Sequence, residues 1–417
     1  MGSPMSANAS ERGSRGLILI LAATAVAGAS GYAIQLLAPA LLDGAESYLT
    51  FSAFWSVLFL LGSAVGGLQQ EVARASSSAD WGHESRSIRR FTLCCAAAVA
   101  IVTVAFGLVI GPTAFGEGSG PILGALVIGL LGYVLTSIIT GLFYGLGTLG
   151  FVAALIAVDA GLRGVAVVVG FVVGASIDVI AYLVALPFGL AVTIVWQFAR
   201  SRVVGRYRMD VGDLRLARNA LSTVVSAAAI GMMVTGMPLL FRVTLTDASP
   251  VVLASLTLVV TLTRAPFIIP LMALQSYLVV GFRDAPDKAP ARVRTYLLTA
   301  GGVGIVAAWA ATVIGPWAVD VVSGSHYGTD AISSAVVVVS ATMVGCMCIT
   351  GPALLAVSRH GANVAGWIVA ALTTAACLVL VPADPTGRAL IALVAAPFAG
   401  LVVHGLSLAR PARRDLV

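Results

Sequence analysis

The sequence predicts an all-α polytopic membrane protein of twelve transmembrane helices, arranged as two parallel-repeat six-helix lobes around a central cavity. Composition gives the class: 59% of the 417 residues are hydrophobic and only 10% are charged, with a mean hydropathy of +1.01, far from the balance of soluble globular chains. Run length gives the helices, because most apolar segments reach the roughly 20 residues that carry a helix across a hydrocarbon core of roughly 30 Å. These runs lack the alternation of a lipid-facing barrel strand, so the backbone must be satisfied within each helix. An internal offset gives the repeat. Ile139-Thr140-Gly141 recurs as Ile349-Thr350-Gly351, and Val184-Ala185-Leu186-Pro187-Phe188 recurs as Val394-Ala395-Ala396-Pro397-Phe398, both 210 residues later. The matched segments lie in spans running in the same direction, as in the parallel repeats of many transporters.

Hydropathy places the spans near 16–39, 50–73, 91–111, 121–144, 149–171, 176–198, 218–241, 250–281, 295–315, 332–357, 362–382 and 388–408. Residues 1–15 read as a polar tail. The run from Gly16 to Pro39 is longer than a signal-peptide core and lacks a convincing cleavage site, so it reads as a retained first span. The lobes are then 16–199 and 218–408, joined by a basic linker at 200–217 and followed by a tail at 409–417. Spacings such as Gly62–Gly66 and Gly141–Gly145 let helices approach closely. Orientation follows from the 24 basic residues, of which 20 fall on one side if both termini are cytoplasmic. The exceptions are Arg163 and Arg264 within spans, and Arg242 and Arg388 near outer ends. Arginine greatly outnumbers lysine, which suggests a GC-rich bacterial genome and hence a bacterial cytoplasmic membrane.

Several function classes are excluded by what the chain lacks. There is no GxxxxGK[ST] phosphate loop, no HExxH and no GxGxxG between strand and helix, so energy must come from ions or substrate gradients. His83, His326, His360 and His404 are scattered, and the five cysteines, Cys94, Cys95, Cys346, Cys348 and Cys377, read as small core residues. No enzyme activity, cofactor or metal is expected. The net charge of +6 belongs to the loops and implies no nucleic-acid partner.

Three groups of residues are candidates for chemistry. Arg264 lies near the middle of the longest apolar run, where a cation costs several kcal/mol unless paired or wetted, and Pro266 and Pro270 beside it should bend the helix. Asp159 and Arg163 in span five are four residues apart and share a helix face; they form either a compensated pair or the border of a hydrated cavity. Gln69-Gln70-Glu71-Val72-Ala73-Arg74 ends span two, where Glu71 and Arg74 form either an interfacial clamp or a docking point for an anionic head group, with Gln275 and Tyr277 at a matching depth. Arginine suits such a task because its planar fork binds phosphate oxygens bidentately and stays charged when desolvated. Arg264, Arg163 and Arg74 outnumber the buried acids Asp159 and Asp178, which favours an anionic cargo. Asp159 or Asp178 would titrate if a coupling ion exists.

With span two ending in LQQEVARA, span five carrying DAGLR and span eight carrying LTRAPFIIPLMALQ, the chain resembles actinobacterial polysaccharide-biosynthesis membrane proteins of the multidrug/oligosaccharidyl-lipid/polysaccharide (MOP) exporter superfamily. The resemblance implies two six-helix lobes in a V and alternating access that moves a lipid-linked saccharide outward. In lipid II flippases of that superfamily cavity arginines receive the diphosphate, and Arg264 is the best positional match, followed by Arg74 and Arg163. Span one lacks the basic residues common in the lipid II branch, which leaves a capsular, teichoic or other surface-glycan precursor open.

The expectation is a flippase for a diphosphate-linked oligosaccharide, with the lipid-linked precursor, membrane lipids and glycosyltransferases or a polymerase of the same pathway as partners. The alternatives are a cation-coupled drug or metabolite exporter of the same fold, a membrane glycosyltransferase or polymerase, and a non-transporting scaffold of a glycan-assembly complex.

Overall fold

The structure, a computed structural model, describes residues 4–78, 86–116, 118–209, 213–284 and 286–410. In chain order its elements are α1 (Pro4–Leu41), α2 (Gly44–Ala75), β1 (Ser76–Ser78), α3 (Arg86–Phe115), α4 (Gly120–Gly145), α5 (Leu149–Val172), α6 (Ile177–Val203), β2 (Tyr207–Met209), α7 (Asp213–Thr235), α8 (Met237–Thr244), α9 (Pro250–Arg283), α10 (Ala289–Ser323), α11 (Ala331–Ala356), α12 (His360–Leu380) and α13 (Pro385–Ala409). Among the described residues, eleven of these helices are long and apolar enough to cross a membrane, and Pro250–Arg264 of α9 is a shorter apolar helix. The chain is a multi-pass membrane protein.

Four features differ from the sequence reading. α1 begins at Pro4, so helix runs back through most of the expected polar tail; polarity ends a membrane span, but residues such as Ala7, Ala9 and Glu11 do not end a helix. The span expected at 218–241 is two helices, broken at Gly236. Pro238 supplies no amide hydrogen to the Val234 carbonyl one turn back, and a Cβ at Gly236 would lie 2.6 Å from the Met232 carbonyl oxygen, which only glycine avoids. A two-stranded antiparallel ladder pairs Ser76 with Met209 and Ser78 with Tyr207, joining the ends of α2 and α6; three-residue strands are too short to show a period. Cys94 is exposed on α3, whereas Cys348 is buried as expected. The backbone is helical across Pro266 and Pro270, and the detail of the expected bend lies outside the described residues.

The chain forms two compact units, one of Met1–Leu42 with Ala53–Gly231, the other of Asp43–Ser52 with Met232–Val417. Most of α7 therefore belongs to the first unit and the opening of α2 to the second. In the first unit α4 packs on α6 and α1 on α5, around a core that includes Val72, Val134, Phe143, Val152, Leu155 and Ala199. In the second unit α11 packs against α9, α10 and α13, and α12 against α13. α3 and α10 present apolar side chains outward, among them Ile101, Leu108, Val109, Ile305, Trp309 and Val313, as helices facing acyl chains do.

Lipid tails are as apolar as leucine, so helices associate through close packing and interhelical hydrogen bonds. Gly141 of α4 does this against α2, where a Cβ would lie 2.8 Å from the Gln69 carbonyl oxygen, and Gly145 meets β1 just beyond α2, where a Cβ would lie 2.8 Å from the Ser76 carbonyl oxygen. The other expected spacing divides differently. Gly66 faces open space, and its neighbour Gly67 meets α7, where a Cβ would lie 2.7 Å from the Thr223 backbone. The Thr223 hydroxyl spans the same crossing to the Gly67 carbonyl at 2.9 Å. Other hydroxyls return to their own helix, Thr103 to Val99 and Thr193 to Gly189, and so cost little in lipid. Asp330 caps α11 by accepting the Ser333 amide at 2.8 Å and its hydroxyl at 2.6 Å, and these bonds hold its carboxyl below the usual range.

The adjacent glycines give a paired test. Gly67→Ala should destabilise the protein by about 1–3 kcal/mol by prising α2 from α7, seen as a lower melting temperature in detergent. Gly66→Ala should be neutral or slightly stabilising, because alanine is the better helix former.

Candidate functional site

In hydrocarbon each charge needs a partner, so the site is best built by asking where each charge finds one. Glu71, only 3% exposed, is held on three sides within the first unit. Arg74 Nε donates to its Oε2 at 2.8 Å and Arg74 Nη2 to its Oε1 at 2.5 Å, while Asn219 Nδ2 of α7 donates to Oε1 at 3.0 Å. The sequence puts Glu71 and Arg74 three apart; only the fold brings Asn219 to them. Gln70, next in the chain, is exposed.

Asp159 and Arg163 lie on α5 of the same unit. Arg163 Nη2 donates to both carboxylate oxygens, at 2.5 and 2.6 Å, and the guanidinium is 5% exposed as a residue. Its planar face lies 3.8 Å from the centre of the Phe188 ring, with Phe59 at 5.3 Å. An ion pair and two aromatic faces thus match one cation. Phe188 closes the repeated VALPF segment, a role invisible until α6 is laid beside α5. Asp178 occupies the first turn of α6, where a negative charge complements the helix dipole.

Arg264 differs. It is 3% exposed within the second unit, and its Nη1 donates to the Met233 carbonyl at the end of α7. That carbonyl sits one turn before the Gly236 break, so Arg264 holds a helix end. Nε and Nη2 of Arg264 are buried with no hydrogen-bond partner among the described residues. No acidic residue occurs anywhere along α9. Gln275, lower on the same helix, is half-buried; the side chain of Tyr277 lies outside the described residues. The structure therefore brings Glu71 to Arg74 and Asp159 to Arg163 in one unit, and places Arg264 and Gln275 in the other.

Two further pairs were signalled only by arginines on the wrong side for the charge rule. Arg242 Nη2 donates to Glu46 Oε2 at 2.6 Å, and Arg388 Nη2 donates to both oxygens of Asp247, whose carboxyl is thereby held below the usual range. Both arginine side chains are largely shielded at helix ends, and each answers an exposed acid that the sequence places more than a hundred residues away.

The fold is shared with known transporters. A multidrug resistance MATE family transporter of the MOP superfamily in its inward-facing conformation aligns with a TM-score of 0.66 at 13% identity, over 90% of this chain and 94% of that one. The chain has the MATE transporter fold. A MOP superfamily transporter from Pyrococcus furiosus, described as having a binding pocket of reverse polarity, aligns with a TM-score of 0.61 at 11% identity over 95% of this chain and 96% of that one. The eukaryotic MATE transporter AtDTX14 aligns with a TM-score of 0.58 at 17% identity, over 95% of each. In sequence, the uncharacterized protein Rv3630 of Mycobacterium tuberculosis and the uncharacterized protein Mb3654 of Mycobacterium bovis are each 29% identical over 403 residues, covering 93% of this chain and 90% of theirs. No family model matches the chain.

The Asp159–Arg163 pair yields a test of its own. Arg163→Ala leaves Asp159 without its partner among packed helices and should cost about 3 kcal/mol or more, read as a fall in detergent melting temperature. Replacing both residues by alanine should recover much of that loss. Equal melting temperatures for the single and double variants would show that the carboxylate gains its stabilisation elsewhere.

Proposed function

We propose that this protein is an exporter working by alternating access, and that its cargo is a lipid-linked oligosaccharide carried on a diphosphate across a bacterial cytoplasmic membrane, with both chain termini on the cytoplasmic side. The observation that carries this reading is Arg264: a buried guanidinium with one donor on the Met233 carbonyl and two nitrogens unpartnered among the described residues. A permanent cation in such surroundings is strongly unfavourable alone, and a phosphate oxygen pair is the ligand its planar fork fits best. The saccharide and diphosphate would pass through protein while the lipid tail stays in the bilayer. Exposed Gln70 and Arg74 lie at the basic end of α2, where a head group would be met first. Arg74 and Arg163 are already engaged with acids, so they fit steering better than capture.

Support of a second kind comes from the fold, which is that of transporters, and from the description of the Pyrococcus furiosus relative of that fold, whose pocket polarity is reversed. The competing reading, a cation-coupled drug or metabolite exporter, draws on the multidrug transporters that share the fold. A cationic drug calls for an unpaired carboxylate deep in a bundle, whereas Asp159 and Glu71 are both held by arginines. Efflux of cationic dyes from cells expressing the protein separates the two readings.

The decisive measurement uses proteoliposomes and a fluorescent lipid-linked sugar. Loss of one or two charge-assisted hydrogen bonds should slow translocation by Arg264→Ala about tenfold or more, with Arg264→Lys between that and the unmodified protein. Translocation by Arg264→Ala at the unmodified rate would remove Arg264 from the pathway.

A further inference from the structure

The second unit holds one more buried ionisable group, His404 of α13, which is 0% exposed. Its Nε2 lies 3.1 Å from the backbone carbonyl oxygen of Asn363 on α12, and its Nδ1 lies 2.8 Å from the Thr350 hydroxyl on α11. A carbonyl only accepts, so Nε2 carries a hydrogen in every state. Nδ1 faces an oxygen that works both ways. In neutral histidine the Thr350 hydroxyl donates to Nδ1. When Nδ1 gains a proton it donates to the Thr350 oxygen, and the hydroxyl hydrogen turns to the Cys346 carbonyl, 3.1 Å away. Both ring nitrogens are satisfied before and after, although no carboxylate is present.

The surroundings keep this arrangement fixed. A Cβ at Gly366 of α12 would collide with the His404 ring, and one at Gly400 would collide with Met347. Trp367, 2% exposed, meets the ring edge-on with centroids 6.4 Å apart. The other titratable groups on the packed elements are the thiols of Cys346 and Cys348 on α11 and of Cys377 on α12, together with several cations. Arg359 and His360 open α12, with Arg359 donating to the carbonyls of Ser407 and Arg410 beside α13. Arg388 opens α13, and on α9 there are Arg264 and Arg283. None of α9, α11, α12 or α13 contains an aspartate or glutamate. The matching positions of the first repeat are Thr140, Ile194 and Ala153, so the fold of a repeat does not require this polar trio.

We propose that His404, with Thr350 and Asn363, is a reversible proton-binding site inside the membrane-spanning region of the second unit. Because Asp159 is locked to Arg163, His404 becomes the group that takes the coupling proton, a role that rests on the transport reading above, whereas the proton site does not.

The test uses the full chain in lipid nanodiscs with ¹⁵N-labelled histidine, and His404→Gln to identify the signal. Between about pH 8 and about pH 5 the His404 nitrogens should pass from the unlike pair of a neutral ring to the like pair of an imidazolium. Thr350→Val should lower the midpoint by about one pH unit or more, since the cation loses its acceptor, and Thr350→Ser should restore it. A signal that stays neutral throughout, or a midpoint indifferent to Thr350→Val, overturns the site. In proteoliposomes carrying the fluorescent lipid-linked sugar, an imposed pH gradient should accelerate the unmodified protein and not His404→Gln. Equal acceleration of both would reject His404 as the coupling group. Absence of any movement of that lipid by the unmodified protein would reject the cargo instead, and the titration would still judge the proton site.

Discussion

The exclusion of water from a helix bundle is the constraint from which the rest of this structure follows. Every charge that a span carries inward must be answered by protein, and the two lobes answer in different ways. In the first unit the answers are local and complete: Asp159 lies one turn from Arg163, and Glu71 lies three residues from Arg74, with Asn219 brought from α7. Phe188 and Phe59 add aromatic faces to Arg163. The two ion pairs are each made within a single helix turn, and neighbouring helices add Asn219 to one and the aromatic rings to the other. In the second unit Arg264 is answered by one backbone carbonyl alone among the described residues. That difference sets Arg264 apart from the packed ion pairs of the first unit.

The repeat sharpens the contrast. At the 210-residue offset of the repeated segments, Asp159 and Arg163 fall on Val369 and Thr373, and His404 falls on Ile194. Even the shared phenylalanine has separate fates: Phe188 is buried against Arg163, and Phe398 is exposed on α13. Duplication supplies helices, crossings and small residues at the crossings. The charged and polar groups were placed in each half separately, and they are where the halves stop being copies.

How much was legible in the sequence depends on the range of the interaction. Membrane spans are set by runs of apolar residues, a local property, and hydropathy found them. Asp159–Arg163 and Glu71–Arg74 are i,i+4 and i,i+3 pairs, fixed by helix geometry as soon as the helix is granted. Gly141 and Gly67 proved to face a neighbouring helix and Gly145 the strand that follows α2, whereas Gly66 faces open space, because spacing gives a stripe and only the crossing angle chooses the face. The break at Gly236 was present as a Gly-Met-Pro sequence but hidden under an unbroken hydropathy run, since hydropathy is blind to missing amide hydrogens. Asn219, Glu46, Asp247 and the Thr350–His404–Asn363 trio act across separations that no local pattern encodes. The only trace of two of them was a pair of arginines, Arg242 and Arg388, standing against the charge rule.

The break in α7 and the arginine of α9 are best understood as one device. The break at Gly236 separates α7 from α8, and Pro238 leaves the Val234 carbonyl without its ladder donor; beside it a guanidinium brought from α9 donates to the Met233 carbonyl, so that the broken helix end and the arginine each gain a partner. Met233 is fixed at the other side as well, because the Thr374 hydroxyl of α12 meets its sulfur at 3.5 Å. Three helices, α7, α9 and α12, thus converge on one residue beside the break. An anion that drew the guanidinium fully to itself would take the donor from the Met233 carbonyl and leave the α7 end to find another, most simply by repairing or shifting the break. An anion that engaged only Nε and Nη2 would leave the helix end as it stands. If Arg264 binds the anion proposed above, its one committed nitrogen and the two without a partner among the described residues tie that binding to helix movement through a single hydrogen bond.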